Sequence, residues 1–149
     1  MGLLYYSDHT QTGRLIAATT LTQHMTNGDG TWEDVTGPGL LGGISDQVRM
    51  AVFKLSNSTR VILVNDVDAP QVYTGSGDFA ALGGSPPIAK CVTSAFQRVI
   101  LGNVTIGGTR RSSSLWVSGF QDSTIWSSIN EVSLPDTGDS IVEIRALND

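Results

Sequence analysis

Short apolar segments separated by turn-forming residues follow one another along the whole chain. Apolar stretches occupy residues 3–6, 48–53 and 89–96, and Gly, Asn, Asp and Pro gather between these and later stretches. Brief apolar runs bounded by such residues are typical of β-strands, because Gly, Asn and Asp adopt the backbone conformations that tight turns require. No segment of useful length repeats its apolar residues with a helical period. The pattern therefore predicts an all-β protein.

A second apolar segment follows each opening stretch and begins with an arginine. These arginines are Arg14, Arg60 and Arg98, which lie 46 and 38 residues apart. A further strand-like segment follows, most clearly at 71–73 and 114–117. Together with an outer strand, this predicts four short strands in each unit of roughly 40–47 residues, which is the sequence signature of a β-propeller blade.

An aromatic residue recurs at a fixed distance. Trp32, Phe79 and Trp126 are each 47 residues apart, and an aliphatic residue stands three positions after each of them: Val35, Leu82 and Ile129. A pair kept three times indicates a structural repeat rather than coincidence. We expect these six residues to form an equivalent buried core in successive blades.

The third unit contains a polar insert at 107–114, which we expect to form a surface loop. The predicted fold is a partial β-propeller of about three four-stranded blades, at 1–44, 45–87 and 88–137, with 138–149 as the opening strand of a further blade. Closed propellers have four to eight blades. The pattern therefore predicts either a longer polypeptide, which we favour, or completion of the ring by several copies. We expect residues 1–149 alone not to behave as a simple monomer.

Composition narrows the functional classes. The net charge is −5 and charged residues make up 15% of the chain, which argues against a protein that grips nucleic acid with a basic face. The lone Cys91 cannot form an internal disulfide and lies in an apolar run, so we interpret it as a packing residue. No apolar run has the length of a membrane span, and no membrane anchor is predicted.

Candidate chemistry is sparse. Residues 37–42 match the dinucleotide-binding spacing G-x-G-x-x-G without a following helix, and residues 26–32 resemble a structural Asp-box turn. His9 and His24 have no evident partners for a triad or a metal site. Asp66 and Asp68 lack the remaining ligands of a calcium loop. We therefore predict no enzyme activity, no catalytic residues, no cofactor and no metal.

Arg110 and Arg111 form the only adjacent basic pair. They are candidates for contact with phosphate or with an acidic patch on a partner, and the alternative is a solvated loop.

Longer stretches of the chain resemble a family. Residues 64–75 (VNDVDAPQVYTG), 79–87, 98–103 and 115–126 are similar to segments of tailed-bacteriophage virion proteins. Members often carry Trp-Ser-Asp-x-Gly-Asp-Pro-x-x-Trp where this chain has Trp116 to Trp126, without the first Asp and the Pro. The resemblance implies the propeller of a tail-nozzle or head-to-tail connector protein.

The resemblance also implies partners and a location. They are other copies of the chain and other virion proteins, in a ring around the DNA exit channel of the virion, where double-stranded DNA passes a weakly charged, acidic wall without specific binding. The alternative function is a carbohydrate-binding β-propeller used in adhesion. Exposure of Trp32, Phe79 and Trp126 beside polar loops would favour that alternative.

Overall fold

Three antiparallel sheets of four strands each form the computed structural model, which describes residues 1–8, 10–38, 42, 47–135 and 138–146. The first sheet contains β1 (Gly2–Ser7), β2 (Gly13–Ala18), β3 (Gln23–Thr26) and β4 (Trp32–Asp34). The second contains β5 (Arg49–Leu55), β6 (Ser58–Val64), β7 (Gln71–Tyr73) and β8 (Ala80–Ala81). The third contains β9 (Ile88–Ala95), β10 (Arg98–Ile106), β11 (Thr109–Val117) and β12 (Glu131–Ser133).

Each strand pairs with the next one along the chain, so every sheet is a simple meander. A three-residue 3-10 helix, Ser128–Asn130, precedes β12 and is the one helical element among the described residues. Within those residues no helix has the length and apolar character to cross a membrane. The all-β prediction is confirmed, and each sheet lies inside one of the predicted units.

The second sheet is covered on both faces. Successive residues of β6 point to opposite sides, so Val61 and Leu63 pack with the first sheet while Ile62 and Val64 pack with the third. All four are essentially inaccessible to water. A strand buried on both faces reads as an unbroken apolar run, which is what residues 61–64 show. Two apolar cores therefore hold the three sheets in chain order.

The sheets also meet along their first strands. β1 packs beside β5, and β5 packs beside β9. Ser94 on β9 donates its hydroxyl to the carbonyl oxygen of Val52 at 2.5 Å, and Arg49 on β5 donates to the carbonyl oxygen of Lys90 at 2.8 Å. Side chains thus join the outer backbone edges of these strands, which have no ladder partner on that side.

Equivalent backbone contacts of the first two sheets lie 47 residues apart. The Val35 amide donates to the Gln23 carbonyl at 3.0 Å, and 47 residues later the Leu82 amide donates to the Pro70 carbonyl at 2.8 Å. The register pairs Met25–Glu33 and Val72–Ala80 show the same offset. In the third sheet the offset fails, because Trp126 precedes the 3-10 helix and β12 begins only at Glu131.

Two further expectations were wrong. The insert at 107–114 is no loop: Gly107 and Gly108 form the turn of a hairpin that lengthens β10 and β11, and both take the positive φ that such turns require. The described part of 138–149, residues 138–146, contains no strand. The Ile141 amide there donates a hydrogen bond to the Ser112 carbonyl at 2.9 Å, but no β-ladder follows. Residues 147–149 lie outside the described residues.

Two glycines close the joints between sheets, again 47 residues apart. A Cβ on Gly37 would overlap the carbonyl oxygen of Phe79 in the second sheet. A Cβ on Gly84 would overlap the carbonyl oxygen of Thr124, which belongs to the third unit. Backbones therefore approach too closely for any side chain at either joint.

Replacing Gly84 by Ala should destabilise the fold more than the matched change Gly77→Ala. Both glycines have positive φ, at 82° and 68°, so each alanine substitution should lower the free energy of unfolding by a similar amount, about 1–2 kcal/mol, for the left-handed backbone. Only Gly84 meets a neighbouring backbone, and we expect overpacking there to cost about 1–3 kcal/mol more. Urea unfolding of both variants measures the difference, and equal midpoints would show that the Gly84 joint can relax.

A short polar motif, Asp-x-Thr, stabilises several turns. Asp29 accepts hydrogen bonds from the Thr31 amide at 2.9 Å and its hydroxyl at 2.6 Å, and Asp122 is bonded in the same way by Thr124. Asp8 with Thr10 and Asp34 with Thr36 form related turns. In each case the threonine hydroxyl is the main cause that lowers the pKa of the aspartate.

These lowered pKa values predict acid sensitivity. The ionised aspartates contribute stability above the ordinary carboxyl pKa of about 4, and this contribution is lost as pH falls through the lower native values. Thr124→Val removes the hydroxyl bond to Asp122 and should flatten the fall of melting temperature between neutral and acid pH. Thr109→Val, at an exposed site without this motif, is the control and should keep the wild-type slope.

Candidate functional site

The recurring aromatic residues occupy three different environments. Phe79 is 1% exposed and packs against Tyr73, with ring centroids 5.4 Å apart. Trp126 is partly buried against the core between the second and third sheets, and its indole N–H donates to the Ser123 carbonyl at 2.9 Å. Trp32 is 50% exposed at the start of β4.

The aliphatic partners divide as well. Val35 and Leu82 are buried, whereas Ile129 is 86% exposed in the 3-10 helix. The predicted core was therefore wrong for Trp32 and Ile129. Trp32 lies on the outward face of the first sheet, and Ile129 lies in a helical turn outside the third sheet, so neither meets a covering layer in the described residues.

Phe79→Ala should cost about 3–5 kcal/mol of unfolding free energy, because it empties a fully buried aromatic site. Trp32→Ala is the matched change at the equivalent position of the first sheet and should cost clearly less, because half of that side chain already contacts water. Denaturant unfolding compares the two, and a Trp32 loss as large as that of Phe79 would contradict the described burial.

Arg110 connects two sheets. Its Nε donates to Asn103 Oδ1 at 2.6 Å, and its guanidinium forms an ion pair with Asp66, in the loop after β6. The neighbouring Arg111 donates to both carboxylate oxygens of Glu131, at 2.8 and 2.6 Å. This guanidinium holds the pKa of Glu131 below its usual value. Both arginines therefore lie in a hairpin and are neutralised by carboxylates of the same chain.

A polar cleft of about 500 Å³ surrounds the Arg111–Glu131 pair. Serine hydroxyls dominate its lining, from Ser112, Ser113, Ser114, Ser128 and Ser133. Glu131 disfavours a phosphate in this cleft, because it competes for Arg111 and repels the ligand. The cleft suits neutral polar groups, such as backbone amides or hydroxyls of a partner.

Asp66 and Asp68 do not converge on a cation position. Asp66 faces Arg110, whereas Asp68 accepts hydrogen bonds from the Asn65 amide group at 2.6 Å and the Gly42 backbone at 3.2 Å. The Asn65 side-chain oxygen in turn accepts from the backbone of Asp68 at 2.8 Å. Among the described residues no group of three metal-ligating side chains occurs. Asn65 and Asp68 therefore stabilise the turn between β6 and β7 of the second sheet.

The remaining candidates also have local structural contacts. Cys91 is buried, and burial raises the pKa of its thiol, which disfavours the reactive thiolate. His24 pairs across the ladder with Asp34. His9 lies outside the described residues, as do positions 39–41 and 43–46, so the dinucleotide-like segment is described only at its ends. Asp29 caps its own turn, in keeping with the structural interpretation of residues 26–32.

A groove along the first strands was not anticipated. It has a volume of about 520 Å³ and lies between β1, β5 and β9 on one side and residues 143–146 on the other. Ile141 fixes the segment before it, since its carbonyl oxygen accepts from Asn103 at 2.8 Å. Glu143 and Arg145 form an ion pair at the groove. No local sequence signal marks this groove, because distant strands and the terminal segment line it.

No protein-family model, curated protein or solved structure matches the chain.

Proposed function

We propose that the three sheets are successive blades of a β-propeller and that the protein has a structural role in a virion. Each sheet is a four-stranded meander, the middle sheet is covered on both faces, and the first strands lie side by side. Blades of a propeller stack in this way, with their first strands around a central channel.

The observation that carries the structural role is where the family-like residues lie. Asn65 and Asp68 form the turn between β6 and β7, and the Asp66 amide in this turn donates to the Ala89 carbonyl of the third sheet at 3.0 Å. Trp116 is 8% exposed in the core between sheets. The resemblance thus rests on residues that join and pack sheets, as expected for the connector or nozzle proteins of tailed bacteriophages.

The proposed channel wall is mildly basic rather than acidic. β1, β5 and β9 contain Arg49, Lys54 and Lys90 and no carboxylate. Arg49 is already engaged by the Lys90 carbonyl and by Gln47. Three basic residues are few for tight binding of duplex DNA, which depends on many phosphate contacts. The wall therefore suits passage of DNA without specific recognition.

Localisation in particles tests this proposal. An epitope inserted between Gly107 and Gly108, an exposed turn, should label the tail or head-to-tail connector of virions assembled by a phage that carries the modified gene. Immunogold electron microscopy of washed particles reads out the position. Virions that lack the chain, although it is made in the infected cell, would overturn the proposal.

A carbohydrate-binding propeller is the second candidate, and the exposure of Trp32 favours it. Aromatic rings beside polar turns stack on sugars, and Trp32 follows the Asp29–Thr31 turn. The same position in the second sheet holds Phe79, which is buried, so the aromatic surface does not recur from blade to blade. Under this candidate, a glycan array should detect binding that Trp32→Ala abolishes and Phe120→Ala, at another exposed aromatic, leaves intact.

A further inference from the structure

The outward face of the first sheet is apolar and open. Ladder register places Tyr5, Leu15, Thr26 and Trp32 in one row across the four strands, and Leu3 lies beside them. Leu3 and Tyr5 are 63% and 69% exposed, and Trp32 is 50% exposed. Large apolar side chains grouped on one sheet face are unusual on a free surface and mark an interaction site.

The second sheet shows what covers such a face. Leu15 pairs with Tyr5 and Thr26 as Val61 pairs with Val52 and Tyr73, and Trp32 corresponds to Phe79. Val61, Tyr73 and Phe79 are at most 1% exposed, because the first sheet packs on them. Trp32 is therefore exposed because no described sheet packs on the first sheet from that side. The corresponding residue of the second sheet, Phe79, is buried because the first sheet covers it.

A complementary open face exists on the third sheet. Leu101 and Trp116 point toward the second sheet, so their neighbours Ile100, Leu115 and Val117 point outward. Val132, paired with Leu115 on the edge strand, is 49% exposed. Ile141 and Ile144 cover the part of this face around Asn103 and Gly102, so among the described residues only the part near β12, where Val132 lies, is open. Within the chain, the first sheet packs on the second and the second packs on the third. The open face of the first sheet is therefore of the kind that receives a preceding sheet, and the open face of the third is of the kind that receives a following one.

We propose that a second copy of the chain docks head to tail, with the outward face of its third sheet on the outward face of the first sheet. The proposal rests on the stacked-blade arrangement proposed above and names the surfaces that complete it. This docking would repeat the sheet-on-sheet contact that occurs twice inside the chain. A symmetric contact between two first sheets would instead join two faces of a kind that do not pack together within the described chain. A heterologous contact of this kind closes a ring when its rotation permits.

Paired charge variants test the direction of docking. Trp32→Glu damages the first-sheet face and Val132→Glu the third-sheet face, both at sites already half exposed. Sedimentation velocity across a concentration series should show the wild type associating and each variant alone weakened at least about tenfold, because a carboxylate would be buried without a partner. Leu21→Glu, on an exposed turn, should associate like the wild type. Thermal melting confirms that each variant is folded.

Mixing the two variants is decisive. Head-to-tail docking leaves one intact pair of faces in the mixture, so heterodimers should form although neither variant associates alone. A symmetric contact between first sheets would instead let Val132→Glu dimerise by itself, which would overturn the proposal. A wild-type chain that stays monomeric at all concentrations would overturn it as well. Neither outcome affects the location of the protein in virions, which the labelling experiment decides separately.

Discussion

Burial of the second sheet on both faces is the constraint on which the rest of the structure depends. β6 contributes to two cores at once, with Val61 and Leu63 on one side and Ile62 and Val64 on the other. Removing any one of these side chains would leave a cavity between sheets. β6 is inaccessible to water only when the first and third sheets both pack on the second sheet. The burial of this one strand therefore places the second sheet in the middle.

The same constraint explains the chemistry found between the sheets. Close approach of layers needs positions without side chains, and Gly37 and Gly84 provide them at successive joints. Polar groups trapped at the joints need partners, and Asn65, Asp68, Ser94 and Arg49 supply hydrogen bonds there. These polar residues support packing. At the surface, Arg110 pairs with Asp66 across two sheets, whereas Arg111 pairs with Glu131 within the third sheet.

The proposed function grows from this architecture. A stack of sheets with exposed apolar side chains at each end is suited to assembly, since its remaining apolar surface is of the kind that it buries internally. The proposed structural role and the proposed docking of a second copy therefore depend on the same packing principle, applied within and between chains.

The sequence by itself determined the local features. Short apolar runs, together with Gly, Asn and Asp turns, predicted strands in four-stranded units, and the 47-residue offset predicted the equivalence of three units, which holds for the first two sheets and fails in the third. These features depend on neighbours close along the chain. Most strand positions could thus be predicted, whereas the close approach of backbones at Gly37 and Gly84 was found only in the structure.

Only the tertiary structure decided which repeated residues are buried and which charges meet. Trp32 and Phe79 occupy the same position of the 47-residue repeat, yet one is half exposed and the other buried, because burial depends on whether another sheet packs on that face. Ile129 kept the spacing of Leu82 but falls in a 3-10 helix, since the third unit places its outer strand later. Arg110 and Asp66 lie 44 residues apart, and only the packing of two sheets makes them an ion pair. Apolar runs and turn residues act between neighbours along the chain, whereas burial and pairing depend on the layers that pack against each strand.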